Sequence, residues 1–301
     1  MSAVQTDNPF DLDSDAAYQR WREEKLRRHP ERIDDLIVEI RDLRKLSKAE
    51  HSAVVDRIRR CNMAIYTSRH DSKGNENEDK ALVRALGRQF GLERLDHNMG
   101  ADEDAITSLT VQDDALHRGY IPYTNRAIAW HTDGYYNSPE RQIHALLLHC
   151  ASPAREGGEN RLLDHEMVYL QLRDRNPAWI TALMHPEAMT IPANIVEGKT
   201  LRPAVAGPVF SVTPDGRLHM RYTDRNRSIQ WRNDPLTFEA VAALKATLRS
   251  GSPWHFAATL QAGQGLISNN VLHTRSGFTD GDVPRLLYRA RYYNGIAVHS
   301  G

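Results

Sequence analysis

The chain is poor in cysteine, has no long apolar run and carries no net charge, and each of these absences excludes a class of protein. Its 301 residues contain two cysteines, which form no spacing pattern and therefore argue against a disulfide framework. No apolar stretch approaches the ~18 residues that a membrane-spanning helix needs, so we expect no membrane partner. Lysine plus arginine and aspartate plus glutamate both number 39, a balance that argues against a nucleic-acid partner.

The beginning of the chain is polar, and it predicts both location and domain organisation. From Ser2 to Asp15 there is no apolar core of a signal peptide, which together with the unpatterned cysteines favours a cytoplasmic protein. Residues 1–30 are charged and predict a polar, helical N-terminal extension. Residues 31–301 are long enough for one large domain with helical insertions.

Short, turn-bounded apolar stretches dominate the chain from Ile106 onward. Segments such as Thr213-Pro214-Asp215-Gly216 between two of them have the composition of a turn. Helices are predicted at 166–175, with Pro177 near the end, and at 237–250. This pattern predicts a mainly β fold with flanking helices and a jelly-roll core. The prolines and glycines between about 185 and 207 predict a long loop, a common form for a lid.

A candidate metal site begins with His131 and Asp133 in the run Trp130-His131-Thr132-Asp133-Gly134. In a β-strand, residues i and i+2 point to the same side, so the imidazole and the carboxylate would face one point. His273 is the best candidate for a third ligand, which would complete the triad of non-haem iron oxygenases. Taken alone, a His-x-Asp sequence in a chain with 14 histidines is equally compatible with a surface turn.

Arginines recur on one face of the predicted strand 285–293, at Arg285, Arg289 and Arg291. A guanidinium on the inner face of a barrel is costly unless it binds an anion or a carboxylate. Its planar group suits one end of a dicarboxylate, which it can bind through two hydrogen bonds. A salt-bridged outer face is the alternative, and the strand alone does not separate the two.

Taken together, these motifs resemble the taurine/2,4-D dioxygenase family of iron(II)- and 2-oxoglutarate-dependent oxygenases, over roughly residues 36 to 293. The matching motifs are Trp130-His131-Thr132-Asp133, Gly157-Gly158-Glu159-Asn160, Asn269-Asn270-Val271-Leu272-His273 and Pro284-Arg285-Leu286-Leu287-Tyr288-Arg289. The segment from Leu272 to Phe278 is more similar to the γ-butyrobetaine hydroxylase and clavaminate synthase branch. The resemblance implies a double-stranded β-helix, the cupin-like form of the jelly roll.

The resemblance also implies cofactors and their ligands. Fe(II) would be the metal, 2-oxoglutarate and O2 the co-substrates, and no catalytic residue is implied beyond the metal ligands. Arg285 would bind the distal carboxylate of 2-oxoglutarate. Asn160 stands where the family usually has a threonine that helps to hold 2-oxoglutarate, and an amide can donate a hydrogen bond there too. The implied iron ligands are His131, Asp133 and His273.

The reaction implied is hydroxylation or desaturation of a small molecule, with release of succinate and CO2. Arg289 would lie at the substrate end or assist the co-substrate. Tyr135 directly follows the ligand motif and is a candidate substrate contact or a core residue, while Arg225 lies in a polar segment that is either a substrate contact or a charged rim. These residues favour a small polar substrate with a carboxylate, similar to an amino acid.

Two other classes of function are compatible with the same residues. One is a non-catalytic jelly-roll binding protein, which the full ligand set and Arg285 argue against. The other is a metal-dependent hydrolase that uses the same His-x-Asp and distant histidine. A homo-oligomer is compatible with the sequence, which does not specify the oligomeric state.

Overall fold

A computed structural model of the chain describes residues 8–69, 75–97, 105–112, 120–196, 198–225 and 229–296. The fold divides into two compact units, one formed by residues 1–29 and 164–254 and the other by residues 30–163 and 255–301. We call them the helical unit and the sheet unit. The single domain over residues 31–301 stays a prediction. No α-helix in the described ranges is both long and apolar enough to cross a bilayer.

The described residues form six α-helices and nineteen strands. The helices are α1 Asp15–Arg28, α2 Lys48–Cys61, α3 Glu76–Arg88, α4 His165–Arg175, α5 Pro177–Leu183 and α6 Pro235–Arg249. The strands are β1 Ile37–Ile40, β2 Met63–Ser68, β3 Ile106–Leu109, β4 Ile128–His131, β5 Ala145–Ser152, β6 Glu156–Gly157, β7 Asn160–Leu163, β8 Met189–Ile191, β9 Asn194–Val196, β10 Lys199–Arg202, β11 Val205–Gly207, β12 Phe210–Val212, β13 Leu218–Met220, β14 Gln230–Trp231, β15 Phe256–Ala258, β16 Gln264–Ser268, β17 Leu272–Arg275, β18 Phe278–Thr279 and β19 Leu286–Tyr292.

The sheet unit contains a six-stranded sheet in the order β1-β2-β16-β5-β19-β3 and a four-stranded sheet in the order β15-β7-β17-β4. Strand β5 shows how the layers form, because its successive side chains point to opposite faces. Leu147 packs in an apolar cluster with residues of α2 and α3, whereas Leu146 and Leu148 pack with residues of the four-stranded sheet. The prediction of a mainly β fold with flanking helices is therefore confirmed, and the sheets do not join into a closed barrel.

Local sequence signals explain several of the helix boundaries. Before α2, the Ser47 hydroxyl accepts a hydrogen bond from the Glu50 backbone, while the Glu50 carboxylate accepts one from the Ser47 N–H. Such a reciprocal cap satisfies two N–H groups that the first turn leaves unpaired. Val54 and Ile58, one turn apart, then bury the inner face of the helix against the six-stranded sheet.

The helical unit contains α1, α4, α5, α6 and three small sheets, β11-β8-β14, β10-β9 and β12-β13. Lys25 of α1 is 5% exposed and forms ion pairs with Asp164, at 2.6 Å, and with Glu166. Because a buried lysine needs such partners, these contacts fix α1 onto the start of α4.

One sequence prediction in this unit is wrong, and another is confirmed with an addition. Residues 185–207 are not one long loop, because the short strands β8 to β11 occupy most of that range. The helix predicted at 166–175 is observed as α4, with Pro177 just after its end. Pro177 is also the first residue of α5, where its missing N–H costs nothing. The Asn176 side chain accepts the N–H of Ala178 and caps this second helix.

Candidate metal centre

His131 and His273 lie directly opposite each other on neighbouring antiparallel strands. They are the last residue of β4 and the second residue of β17, and the register pairs the two positions. The centroids of their rings are 4.1 Å apart. His273 is also paired with Leu162 of β7, a core residue between the two sheets, so both imidazoles lie on the inner face of the four-stranded sheet.

Asp133 completes the group, although it does not lie in the strand. Its Oδ1 atom is 3.6 Å from Nε2 of His131. One ligand atom each from His131, Asp133 and His273 lies within 4.8 Å of the other two, and no other group of this kind occurs in the part of the chain that the structure describes. The structure thus brings together the three residues that the sequence selected, which are 142 positions apart from first to last.

Backbone carbonyls set the orientation of both imidazoles. Nδ1 of His131 lies 3.0 Å from the carbonyl oxygen of Ala129, and Nδ1 of His273 lies 3.0 Å from that of Val271. Because a carbonyl oxygen only accepts, each Nδ1 carries the proton and each Nε2 keeps its lone pair. This arrangement is typical of metal-binding histidines, whose second nitrogen donates to a fixed acceptor.

The charges of the group also suit a divalent metal. Burial opposes ionisation of Asp133, yet the charge of Arg289, the contact with His131 and the charge of Arg291 hold the pKa of this carboxyl well below its usual value. Burial and the neighbouring His131 lower the pKa of His273 to about 4, so this imidazole is neutral near pH 7. Oδ2 of Asp133 is buried without a hydrogen-bond partner. One carboxylate and two imidazoles on one side of a point are the donor set of non-haem iron(II) sites.

Arg285 is a buried cation whose guanidinium lacks a hydrogen-bonding or ionic partner among the described residues. It directly precedes β19 and is 4% exposed, and its guanidinium forms no hydrogen bond or ion pair with any residue that the structure describes. Burial lowers the pKa of Arg285, and the nearby Cys150 and Asp280 offset this only in part. A buried guanidinium in this state is a site for an anion.

The glycine-rich motif lies against Arg285. A Cβ atom added to Gly158 would stand 3.3 Å from Nε of Arg285, and one added to Gly157 would stand 2.2 Å from the carbonyl oxygen of Gly277. Both glycines have positive φ, of 75° and 73°. Asn160 follows at the start of β7, is 7% exposed and donates a hydrogen bond to the Gly158 carbonyl. The glycines therefore leave room beside the guanidinium that a side chain would fill.

The three residues predicted to contact substrate have different surroundings. Arg289 lies next to the ligand group, with one guanidinium nitrogen 3.5 Å from Oδ2 of Asp133 and a buried Nε that has no hydrogen-bond partner. Tyr135 is half-buried and packs edge-on against Tyr136. Arg225 belongs to the helical unit and is exposed. Their roles toward a substrate stay predictions.

Two features of the site were missed from the sequence. Arg291 forms a buried ion pair with Asp96 and donates a hydrogen bond of 2.9 Å to the Tyr136 hydroxyl. The Asp96 carboxylate also accepts a hydrogen bond from the Tyr293 hydroxyl. Asn270 contacts the backbone of Asp133. The alternation of arginines indicated Arg291, but Asp96 carries no sequence signal that links it to a residue 195 positions away.

Comparison with known proteins extends these observations. The profile of the family described as "Taurine catabolism dioxygenase TauD, TfdA family" matches residues 73–291. A uridine-5'-phosphate dioxygenase from Streptomyces sp is 32% identical over 206 residues, which cover 64% of this chain and 70% of that protein. A uridine-5'-phosphate dioxygenase from Amycolatopsis sp is 30% identical over 173 residues, covering 54% of this chain and 60% of that protein.

The fold is also similar to that of a solved structure. An asparagine oxygenase in complex with Fe(II), 2S,3S-3-hydroxyasparagine and succinate superposes with a TM-score of 0.58 and 15% identity, over 85% of this chain and 93% of that one. At this identity the likeness shows the fold alone. It confirms the predicted jelly-roll class of the sheet arrangement.

Proposed function

Because the chain belongs to the TauD, TfdA family of dioxygenases, we propose that His131, Asp133 and His273 hold the iron(II) on which its reaction depends. The enzyme is an Fe(II)- and 2-oxoglutarate-dependent dioxygenase. When bound, the iron couples the oxidative decarboxylation of 2-oxoglutarate, to succinate and CO2, to oxidation of the substrate. The observation that carries the site assignment is the convergence of the three ligand atoms within 4.8 Å.

Arg285 is the proposed anchor for 2-oxoglutarate. Its guanidinium is buried and has no partner among the described residues, so it can donate two parallel hydrogen bonds to the distal carboxylate. Gly158 supports this role, because the absence of a side chain leaves space beside Nε of Arg285. The Asn160 amide, on the adjoining strand β7, is the proposed second donor to the co-substrate in place of the threonine usual in the family.

We further propose that the substrate is a small anion whose charged group is held by Arg289. The guanidinium is 11% exposed in its side chain, stands beside Asp133 and keeps an unpaired, buried Nε. A carboxylate and a phosphate would both satisfy it. The relatives that share 30–32% identity are uridine-5'-phosphate dioxygenases, which makes a nucleoside 5'-phosphate the first candidate. An amino-acid-like carboxylate, favoured by the sequence, is the second.

The test of the reaction is substrate-dependent release of succinate in the presence of Fe(II), 2-oxoglutarate and air. The panel contains uridine 5'-phosphate, uridine, the other nucleoside 5'-phosphates, amino acids and betaines. We expect one anionic class to stimulate release, His131→Ala to abolish it, and replacement of the exposed His97 by alanine to leave it unchanged. Turnover that persists without O2 and 2-oxoglutarate would instead support the metal-dependent hydrolase.

Arg289 is tested with the substrate that this panel identifies. Arg289→Gln should raise KM for the substrate by about 100-fold, since about two charge-assisted hydrogen bonds of 1.5–3 kcal/mol are lost, and should leave KM for 2-oxoglutarate nearly unchanged. A rise confined to KM for 2-oxoglutarate would mean that Arg289 assists the co-substrate instead.

A further inference from the structure

The strand pairing that places His131 does not reach Asp133. Strand β4 ends at His131, which is the last of its residues paired with β17. The chain then turns at Gly134, where φ is +69° and an added Cβ atom would lie 2.3 Å from the Ile143 side chain. Asp133 therefore occupies the beginning of a turn, and another contact has to fix its backbone.

Asn270 supplies that contact through its side-chain amide. Its Oδ1 accepts the N–H of Asp133 at 2.8 Å, and its Nδ2 donates to the Asp133 carbonyl at 2.9 Å and to the Ile143 carbonyl at 2.7 Å. The amide thus pairs with both backbone groups of Asp133, as a neighbouring strand would. Asn270 is 2% exposed, so its three hydrogen bonds are shielded from water.

Asn270 also stands close in sequence to the third ligand. It lies three residues before His273 and adopts a left-handed conformation, with φ +52°, that asparagine tolerates better than most residues. The same short segment therefore carries one imidazole of the site and holds the backbone of its carboxylate. We infer that Asn270 is a positioning residue that fixes Asp133 relative to His273. This inference rests on the proposed roles of these two residues as metal ligands.

The neighbouring Asn269 provides a matched control. Its side chain makes two hydrogen bonds as well, donating to Oδ1 of Asn62 at 3.1 Å and accepting the N–H of Ile296 at 3.0 Å. Neither partner adjoins a proposed ligand. Loss of Asn269 should thus destabilise the fold without moving the carboxylate, whereas loss of Asn270 should do both.

The experiment compares Asn270→Gly, Asn270→Asp and Asn269→Gly with the wild-type chain. Glycine removes the side-chain hydrogen bonds and accepts positive φ without strain, and aspartate keeps the shape and the acceptor but loses both donated bonds. Affinity for Fe(II), or for Mn(II) as a redox-stable probe, is measured anaerobically by calorimetry. The free energy of unfolding is measured on metal-free protein in EDTA.

We expect Asn270→Gly and Asn270→Asp to bind the metal about 10–100-fold more weakly, the usual effect of losing a residue that orients a ligand. Asn269→Gly should bind the metal with an affinity within about threefold of that of wild type, even if its unfolding free energy falls as much as that of the Asn270 variants. Wild-type affinity in either folded Asn270 variant, or an equal loss in Asn269→Gly, would overturn the inference. If Asn270→Gly does not fold, Asn270→Asp decides alone. Absence of metal binding by the wild-type chain would overturn the proposed function instead.

Discussion

Two buried arginines over one aromatic ring show how differently a cation can be accommodated in the sheet unit. The guanidinium carbons of Arg275 and Arg285 each lie 5.0 Å from the centroid of the Phe278 ring, and the residues are 5% and 4% exposed. Arg275 donates hydrogen bonds to four backbone carbonyls within residues 121–126. The Arg285 guanidinium donates to no residue that the structure describes, and only the backbone N–H of Arg285 donates, to Oδ1 of Asp280.

The difference separates a structural cation from one with a proposed role in ligand binding. Burial, together with the charges of Arg285 and Arg289, lowers the pKa of Arg275 to about 10, but its carbonyl partners compensate the loss of water. Arg285 is also buried and lacks that compensation among the described residues, which makes its guanidinium a candidate binding group for an anion. Arg275 should therefore matter for stability, and Arg285 for affinity toward an anion.

The largest expected effect is that of Arg285→Gln on 2-oxoglutarate. Loss of two charge-assisted hydrogen bonds, of about 1.5–3 kcal/mol each, should raise KM for 2-oxoglutarate by about 100-fold or more. The unfolding free energy should stay within about 1 kcal/mol of that of wild type, because the guanidinium has no hydrogen bond or ion pair with the described residues and loses only its contact with the Phe278 ring. Steady-state kinetics and urea unfolding measure the two quantities, and an unchanged KM would remove the distinction between the arginines.

Arg275→Gln should show the opposite pattern. Because its removal leaves buried carbonyls without donors, we expect the unfolding free energy to fall by about 2–3 kcal/mol. KM for 2-oxoglutarate should change by less than about fivefold, a small part of the factor expected for Arg285. Urea unfolding and the same kinetic assay check both values. A variant as stable as wild type, with a KM like that of Arg285→Gln, would contradict the structural role.

Phe278→Leu should have a smaller effect on both KM for 2-oxoglutarate and the unfolding free energy. The ring contributes about 1 kcal/mol to each guanidinium that it contacts, so KM for 2-oxoglutarate should rise about fivefold and the unfolding free energy should fall by about 1–2 kcal/mol. Phe90→Leu is the control, since Phe90 is a buried core ring that stacks on His51 and packs in the apolar cluster of α2, α3 and Leu147. This control should lose stability without a change in KM, and a similar KM increase in both variants would rule out a specific role for Phe278.

The smallest expected effect concerns a third kind of buried cation, one that is paired with carboxylates. Burial raises the pKa of Asp164, but the charge of Lys25 outweighs this and holds the pKa below its ordinary value. A lowered pKa in the folded state means that the stabilisation is present above about pH 4 and is lost as the pH falls below it. We expect unfolding free energies at pH 5.5 and 3.5 to differ by on the order of 1 kcal/mol from this pair.

Lys25→Met isolates the contribution of this pair to that difference. Without the ammonium group, the buried Asp164 carboxylate should prefer its neutral form, so the pH dependence should become weaker or change sign. Urea unfolding at the two pH values, on wild type and variant in parallel, gives the comparison. An identical pH dependence in both proteins would mean that the Lys25 pair does not control it.

The candidate metal centre could be predicted from the sequence because its proposed ligands lie in short local motifs. The spacing of His131 and Asp133 predicted the pair, and the alternating arginines predicted the strand observed as Leu286–Tyr292. The prediction placed His131 and Asp133 on one strand, which is only partly correct. Asp133 lies beyond the end of β4, and its backbone is held by the Asn270 side chain instead of by a neighbouring strand. Asn270 stands in one of the matching motifs, but nothing in the sequence linked it to Asp133, because their contact joins residues 137 positions apart.

The sequence also could not predict which of the buried arginines has a partner within the protein. The strand pattern left Arg285 open between an inner anion site and a salt-bridged outer face. Only the folded arrangement, with Phe278 beside the guanidinium and no carboxylate paired with it in the described residues, separates these alternatives. Likewise, the chain from 185 to 207 reads as a loop because its strands are three or four residues long and are interrupted by prolines and glycines.

The most direct test of the account is an anaerobic titration of the Fe(II)-loaded protein with 2-oxoglutarate, followed through the weak visible absorption of the complex. We expect saturation at the same concentration in wild type and Arg275→Gln, a requirement for about 100-fold more 2-oxoglutarate in Arg285→Gln, and no absorption in His131→Ala. Saturation of Arg285→Gln at the wild-type concentration would contradict the claim that the unpaired guanidinium binds the co-substrate.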